Sequence, residues 1–256
     1  MGWGLGDDGK SIIGSTHGGV AIDKAGLIYT SSSLGVFVFS ADGKVARRFV
    51  GPAYSNIHDL EIHEVDGVEY VFGARNNNAE GIKFHAETGD VVLRLPYPKE
   101  SGLNLKAFRP TAITLGPKGN IYLSDGYNSD HIFKFDGKGK YLTHFGSKGT
   151  GAKKKIDQFT TAHGMTLDTR YDPPRLLICD RNHTPPGNKR PRGRLLHFSL
   201  DGEFLGVVVT GLGMPTSVAV HGQYVSVPDL HGWVTILDGS NTIIAILGHN
   251  PDSAKG

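Results

Sequence analysis

Hydrophobic positions in this chain fall in short runs bounded by turn residues, and the clearest stretch is 110–146. Residues 110–115 and 121–125 are apolar or β-branched and flank the turn Gly116-Pro117-Lys118-Gly119-Asn120. Residues 131–135 and 141–146 follow, separated by Asp136-Gly137-Lys138-Gly139-Lys140. Short β-branched and aromatic segments punctuated by Gly, Asp and Asn predict antiparallel strands joined by tight turns. Four such strands in roughly 40–50 residues make one blade of a propeller.

The unit recurs. First strands start near His17, His58, Thr111, His163 and Thr216, at intervals of 41, 53, 52 and 53 residues. The turn before the last strand recurs at 41–44, 136–139 and 200–203, and the closing strand at Phe49-Val50-Gly51, Phe145-Gly146 and Leu247-Gly248. A blade cannot bury both faces of its sheet alone, so blades stack around an axis. The expected architecture is therefore all-β: one β-propeller domain over 1–256, built of four-stranded blades, five of them visible. Residues 1–10, with Trp3-Gly4, read as a closing strand for a further blade, because 243–247 already closes the fifth. That predicts a sixth blade, missing or incomplete; a complete five-bladed ring is the alternative.

Composition narrows the partners. The chain has 256 residues, 36 glycines, 13 prolines and a formal charge of +2. Its basic clusters, Lys153 to Lys155 and Lys189, Arg190, Arg192 and Arg194, sit in Gly/Pro-rich loops without interleaved aromatics. They read as solvated loops, not a nucleic-acid site. Cys179 is the single cysteine and lies in an apolar run, which predicts a buried structural thiol. No signal peptide and no membrane span is read, and a soluble monomer of unspecified compartment is expected.

Candidate chemistry clusters at the blade starts. In a propeller these approach the axis, so equivalent positions converge. Three carry histidine, His17, His58 and His163, and neutral imidazoles from separate blades suit Zn²⁺. The plainer alternative is that each ring only bonds a nearby carbonyl. A second ring follows at Arg75-Asn76, Asp125-Gly126-Tyr127, Asp180-Arg181-Asn182 and Asp229-Leu230-His231. Its aspartates read as loop caps. Tyr127 and Arg181 are the candidate catalytic residues, and Arg75 and His231 the candidate substrate-binding ones.

The order of Ile57-His58-Asp59-Leu60, Pro110-Thr111, Ser124-Asp125-Gly126-Tyr127, Ala162-His163-Gly164-Met165 and Asp180-Arg181 resembles the peptidylglycine α-hydroxyglycine amidating lyases. Those are NHL-type six-bladed propellers. The resemblance runs from residue 57 to 182 and is fainter outside. It implies zinc in the channel held by His58 and His163, with a third ligand from the sixth blade. It also implies Tyr127 in proton transfer, Arg181 on a substrate carboxylate, and cleavage of a peptidyl-α-hydroxyglycine to an amide and glyoxylate. The family's first-blade arginine has no counterpart, since that region reads Thr30-Ser31-Ser32-Ser33, and His17 lies outside the family pattern. Two other functions fit the same blades. One is a non-enzymatic propeller that binds a protein or small ligand. The other is a lactonase-like hydrolase holding calcium with Asp59, Asn76, Asp125, Asp180, Asn182 and Asp229.

Overall fold

The protein's structure, a computed structural model, describes residues 4, 9–16, 18–149, 153–181 and 193–248. Twenty strands form five antiparallel four-stranded sheets arranged as propeller blades. Blade one comprises β1 (Val20–Ile22), β2 (Ile28–Ser31), β3 (Gly35–Phe39) and β4 (Val45–Val50). Blade two comprises β5 (Asp59–Val65), β6 (Val68–Arg75), β7 (Glu80–His85) and β8 (Val91–Pro96). Blade three comprises β9 (Ala112–Leu115), β10 (Ile121–Ser124), β11 (Ile132–Phe135) and β12 (Tyr141–Phe145). Blade four comprises β13 (Ala162–Asp168), β14 (Arg175–Asp180), β15 (Gly193–Phe198) and β16 (Phe204–Leu212). Blade five comprises β17 (Ala219–His221), β18 (Tyr224–Pro228), β19 (Val234–Leu237) and β20 (Ile243–Leu247).

The first strands of successive blades touch one another, β1 with β5, β5 with β9, β9 with β13 and β13 with β17. They are the inner strands, as the spacing of blade starts predicts. Alternation does the packing. Successive residues of a strand point to opposite faces, so each middle strand feeds two cores. In β6, Val71 packs between blades one and two, and Phe72 between blades two and three. In β14, Leu176 and Ile178 join the core toward blade three, whereas Leu177 and Cys179 join the core toward blade five. This is why the middle strands of blades two to four read as largely apolar runs: both of their faces are covered by neighbouring blades. Cys179 is fully buried, as expected, and burial pushes its thiol pKa far up.

Turns follow the anticipated chemistry. Gly43, Gly139 and Gly202 each adopt a positive φ, of 84°, 84° and 91°, in the turn that precedes the outer strand. The basic loops behave differently from expectation. Lys154 Nζ and Arg194 Nε turn inward to Asp180 Oδ2, at 2.6 and 2.8 Å. The buried carboxylate draws both cations out of solvent, since an unpaired charge there would be costly. Residues 189–192 of the second basic cluster lie outside the described residues, as do most of the expected N-terminal closing strand, Trp3 included. Among the described residues no helix is long and apolar enough to cross a membrane.

Candidate active site

His58 immediately precedes β5, and its backbone N–H donates to the Ala74 carbonyl at 2.7 Å, which fixes it at the mouth of the sheet. His163 is the second residue of β13. Each imidazole sets Nδ1 against a carbonyl of the next blade. His58 meets Thr111 O at 2.7 Å, and His163 meets Thr216 O at 2.6 Å. A carbonyl only accepts, so both Nδ1 atoms carry the proton and both Nε2 atoms present a lone pair. The two Nε2 atoms converge on the Tyr127 hydroxyl, at 3.1 Å from His58 and 2.9 Å from His163. The imidazole centroids are 4.7 Å apart.

Tyr127 reaches this point because its loop is tied from below. Asp125 Oδ1 accepts the Arg109 N–H at 2.5 Å, and Oδ2 accepts the Ser129 hydroxyl at 2.6 Å and N–H at 3.1 Å. Asp125 is thus a loop cap, the role its type predicts. Gly126 passes so close to blade four that a Cβ there would overlap the Ala162 carbonyl oxygen and stand 2.5 Å from Thr111 Oγ1. Thr111 Oγ1 and Ser124 Oγ both donate to that carbonyl, at 2.7 and 2.8 Å, and link blades three and four under the tyrosine.

Arg181 follows β14, and its N–H bonds to the Thr161 carbonyl at 2.9 Å. It is only 4% exposed. Nη1 lies 3.5 Å from the Tyr127 hydroxyl, while Nε and Nη2 are buried without a hydrogen-bond partner among the described residues. Burial pushes this guanidinium's pKa down, an effect that Tyr127 opposes. Arg181, His58, His163, Asp59 and Thr216 line a common cleft of about 180 Å³. Buried donors left unbonded are rare in folded proteins, and a ligand or an ordered water can supply the acceptor.

Not every expected residue joins this cluster. Arg75 is buried, but its Nη1 pairs with Glu80 at 2.5 Å and its Nη2 bonds the Pro52 carbonyl, so it braces blade two. His231 Nδ1 sits 2.7 Å from Asp229 Oδ1, and its ring stacks on Trp233 at 5.1 Å. Neither touches Tyr127 or the two imidazoles by any described contact. Arg75 ends a strand and His231 lies in a loop, so the shared repeat position does not give them a shared direction. His17, the third expected ring histidine, lies outside the described residues, as does Asn182. The proposed calcium ligands do not gather either. Asp125 caps its loop, Asp180 holds Lys154 and Arg194, and Asp229 holds His231.

Asp59 is the cleft residue to which sequence reasoning gave least weight. Its Oδ2 accepts the Ile113 N–H of the neighbouring inner strand at 3.0 Å. Burial, reinforced by the charge of Glu61, pushes its pKa up to about 8. Its place directly after His58 was the available signal.

A ring N–H anchored on a carbonyl with the other nitrogen facing a shared point is how metal-binding histidines are oriented. One phenolic proton faces two imidazole acceptors here, and a cation between them would engage both lone pairs. Two neutral imidazoles suit Zn²⁺ but leave it one short of the three protein ligands of a catalytic site. Among the described residues no group of three or more His, Cys, Asp and Glu side chains forms a metal-holding cluster.

No family model matches the chain. Solved structures that share its fold include the following two. The hydrazine synthase of Kuenenia stuttgartiensis has a TM-score of 0.57 at 12% identity, covering 93% of this chain and 66% of that one. A Bacteroides caccae protein of unknown function has a TM-score of 0.55 at 14% identity, covering 88% and 73%. The chain is a β-propeller. In sequence it is similar to the rat peptidylglycine alpha-amidating monooxygenase, 27% identical over 128 residues, 49% of this chain. The mouse peptidyl-glycine alpha-amidating monooxygenase is 30% identical over 76 residues, 29% of this chain. The aligned stretches span 13% and 8% of those relatives' lengths.

Proposed function

We propose that this propeller is a zinc-dependent lyase of the peptidyl-α-hydroxyglycine type. One observation carries the reading: the Nε2 atoms of His58 and His163 converge on the Tyr127 hydroxyl beside an Arg181 whose Nε and Nη2 have no hydrogen-bond partner among the described residues. Distant similarity to amidating proteins supports it. His58 and His163 would hold the metal, and a further ligand completes the set. Bound zinc supplies Lewis acidity toward a substrate hydroxyl.

The chain's own groups do the rest. Arg181 offers its two unbonded donors to the substrate carboxylate as a fork. Tyr127, held between the imidazoles, moves the carbinol proton. The C–N bond breaks as the carbinol C–O becomes C=O, and the proton ends on the leaving amide nitrogen. No electron acceptor is needed. In this reading the blades are of the NHL type. A sixth blade would cover the apolar positions exposed on blades one and five, among them Val20, Ile22, Tyr224 and Leu247.

The test is metal content and glyoxylate release from an acyl-hydroxyglycine peptide. Stoichiometric zinc that is lost in His58→Ala is expected. Tyr127→Phe is expected to keep the metal and lose glyoxylate release by about 10²-fold or more. Zinc-loaded protein that releases no glyoxylate overturns the reading.

A further inference from the structure

A second cleft, of about 240 Å³, opens on the other side of His58, between blades one and two. Its wall is different in kind. Ser15, Ser33, Asn56, Asn76 and Asn77 line it beside Ile57 and His58, and among the described residues no Lys, Arg, Asp or Glu side chain does. Two more serines there are spent on the backbone. Ser31 Oγ donates to the Ile57 carbonyl, and Ser32 Oγ accepts the Leu34 N–H at 3.1 Å. The hydroxyls of Ser15 and Ser33 and the amides of Asn56, Asn76 and Asn77 bond no described residue. The loops that present them are tied: Ser33 N–H donates to Ser15 O at 2.9 Å, and Asn56 N–H to Ser32 O at 3.1 Å. Asn56 takes a left-handed φ of 54°, which asparagine tolerates better than most residues.

His58 therefore stands between a cleft carrying the Arg181 cation and a cleft that is neutral and rich in paired donors and acceptors. We infer that the neutral cleft is a subsite for an uncharged peptide segment, the amide-bearing residue that precedes the reacting one. The inference rests on the lyase reading for its orientation. A carboxamide matches an asparagine edge donor for acceptor. A charged side chain would be desolvated there without a counter-charge.

The experiment titrates the full chain with acetyl-Asn-Gly, acetyl-Lys-Gly and acetyl-Glu-Gly by calorimetry, and measures KM for the matching hydroxyglycine peptides. The asparagine peptides should bind about tenfold more tightly than the charged ones, one or two hydrogen bonds' worth. The Asn76→Asp/Asn77→Asp double variant should reverse the order in favour of lysine. Turnover with equal KM for all three peptides overturns the subsite and leaves the lyase reading intact. Selective binding of acetyl-Asn-Gly without any turnover supports the subsite and overturns the lyase reading. Absence of binding by all three dipeptides, or a double variant with unchanged preference, also overturns the subsite.

Discussion

Arg181 and Arg75 are both buried guanidiniums, and replacing each with methionine should move stability in opposite directions. Methionine keeps the length and apolar stem of arginine and removes the charge. At Arg181 the change deletes two buried donors that bond none of the described residues, Nε and Nη2, and a contact of only 3.5 Å to Tyr127. An unsatisfied buried donor costs about 1–3 kcal/mol. Replacing a poorly compensated buried charge with an apolar group stabilises by about 1–4 kcal/mol. The expected gain for Arg181→Met is thus about 1–3 kcal/mol, or about 2–4 °C in Tm per kcal/mol for a chain of this size. Arg75→Met does the reverse. It strips Glu80 of its 2.5 Å partner and the Pro52 carbonyl of its donor. Arg94 remains on Glu80 at 2.7 Å and softens the loss to about 2–3 kcal/mol. Urea unfolding of the ligand-free wild type and both variants reads the two numbers directly. A residue kept for its ligand, against the interest of the fold, gives this signature. If Arg181→Met loses 2 kcal/mol or more, Arg181 is a structural brace and the argument for an anion seat fails.

Two further outcomes are expected. Gly126→Ala forces a methyl into the Ala162 carbonyl and Thr111 Oγ1, so it should destabilise by about 1–3 kcal/mol and shift Tyr127 away from the imidazoles; a variant within 0.5 kcal/mol of wild type by urea unfolding, about the usual surface-substitution scatter, refutes the close fit. Asp130 is fully buried, and burial, aided by the charges of Asp180 and Asp125 and opposed by the Ala162 N–H and Lys148, pushes its pKa up to about 7. The folded state then holds a proton that the unfolded chain has lost above about pH 4. Stability from this group is present below that pH and falls as pH rises toward 7, by at most about 1.4 kcal/mol per unit. Asp130→Asn should flatten the stability profile between pH 4 and 7, and an unchanged slope removes Asp130 as the cause.

The strands were legible because their signal is local. Ile243–Leu247 forms β20, and the four segments between 110 and 146 form β9 to β12 with ends shifted by one or two residues. Short β-branched and aromatic runs and turn glycines act within a few residues, so the chain alone declares them. The repeat also announced that His58 and His163 begin inner strands. What the sequence could not carry is direction across blades. Equal repeat positions sent Tyr127 and Arg181 to the imidazoles but left Arg75 on Glu80 and His231 on Asp229. The difference lies in partners 36 to 69 residues away or in a carboxylate that happens to stand nearby. The tautomers depend on the carbonyls of Thr111 and Thr216, each 53 residues on, which are backbone atoms and leave no trace in residue identity. Likewise Lys154 and Arg194 read as solvated charges until folding set Asp180 between them. Local propensity fixes where a strand begins and ends; long-range electrostatics and packing decide which way its polar groups turn.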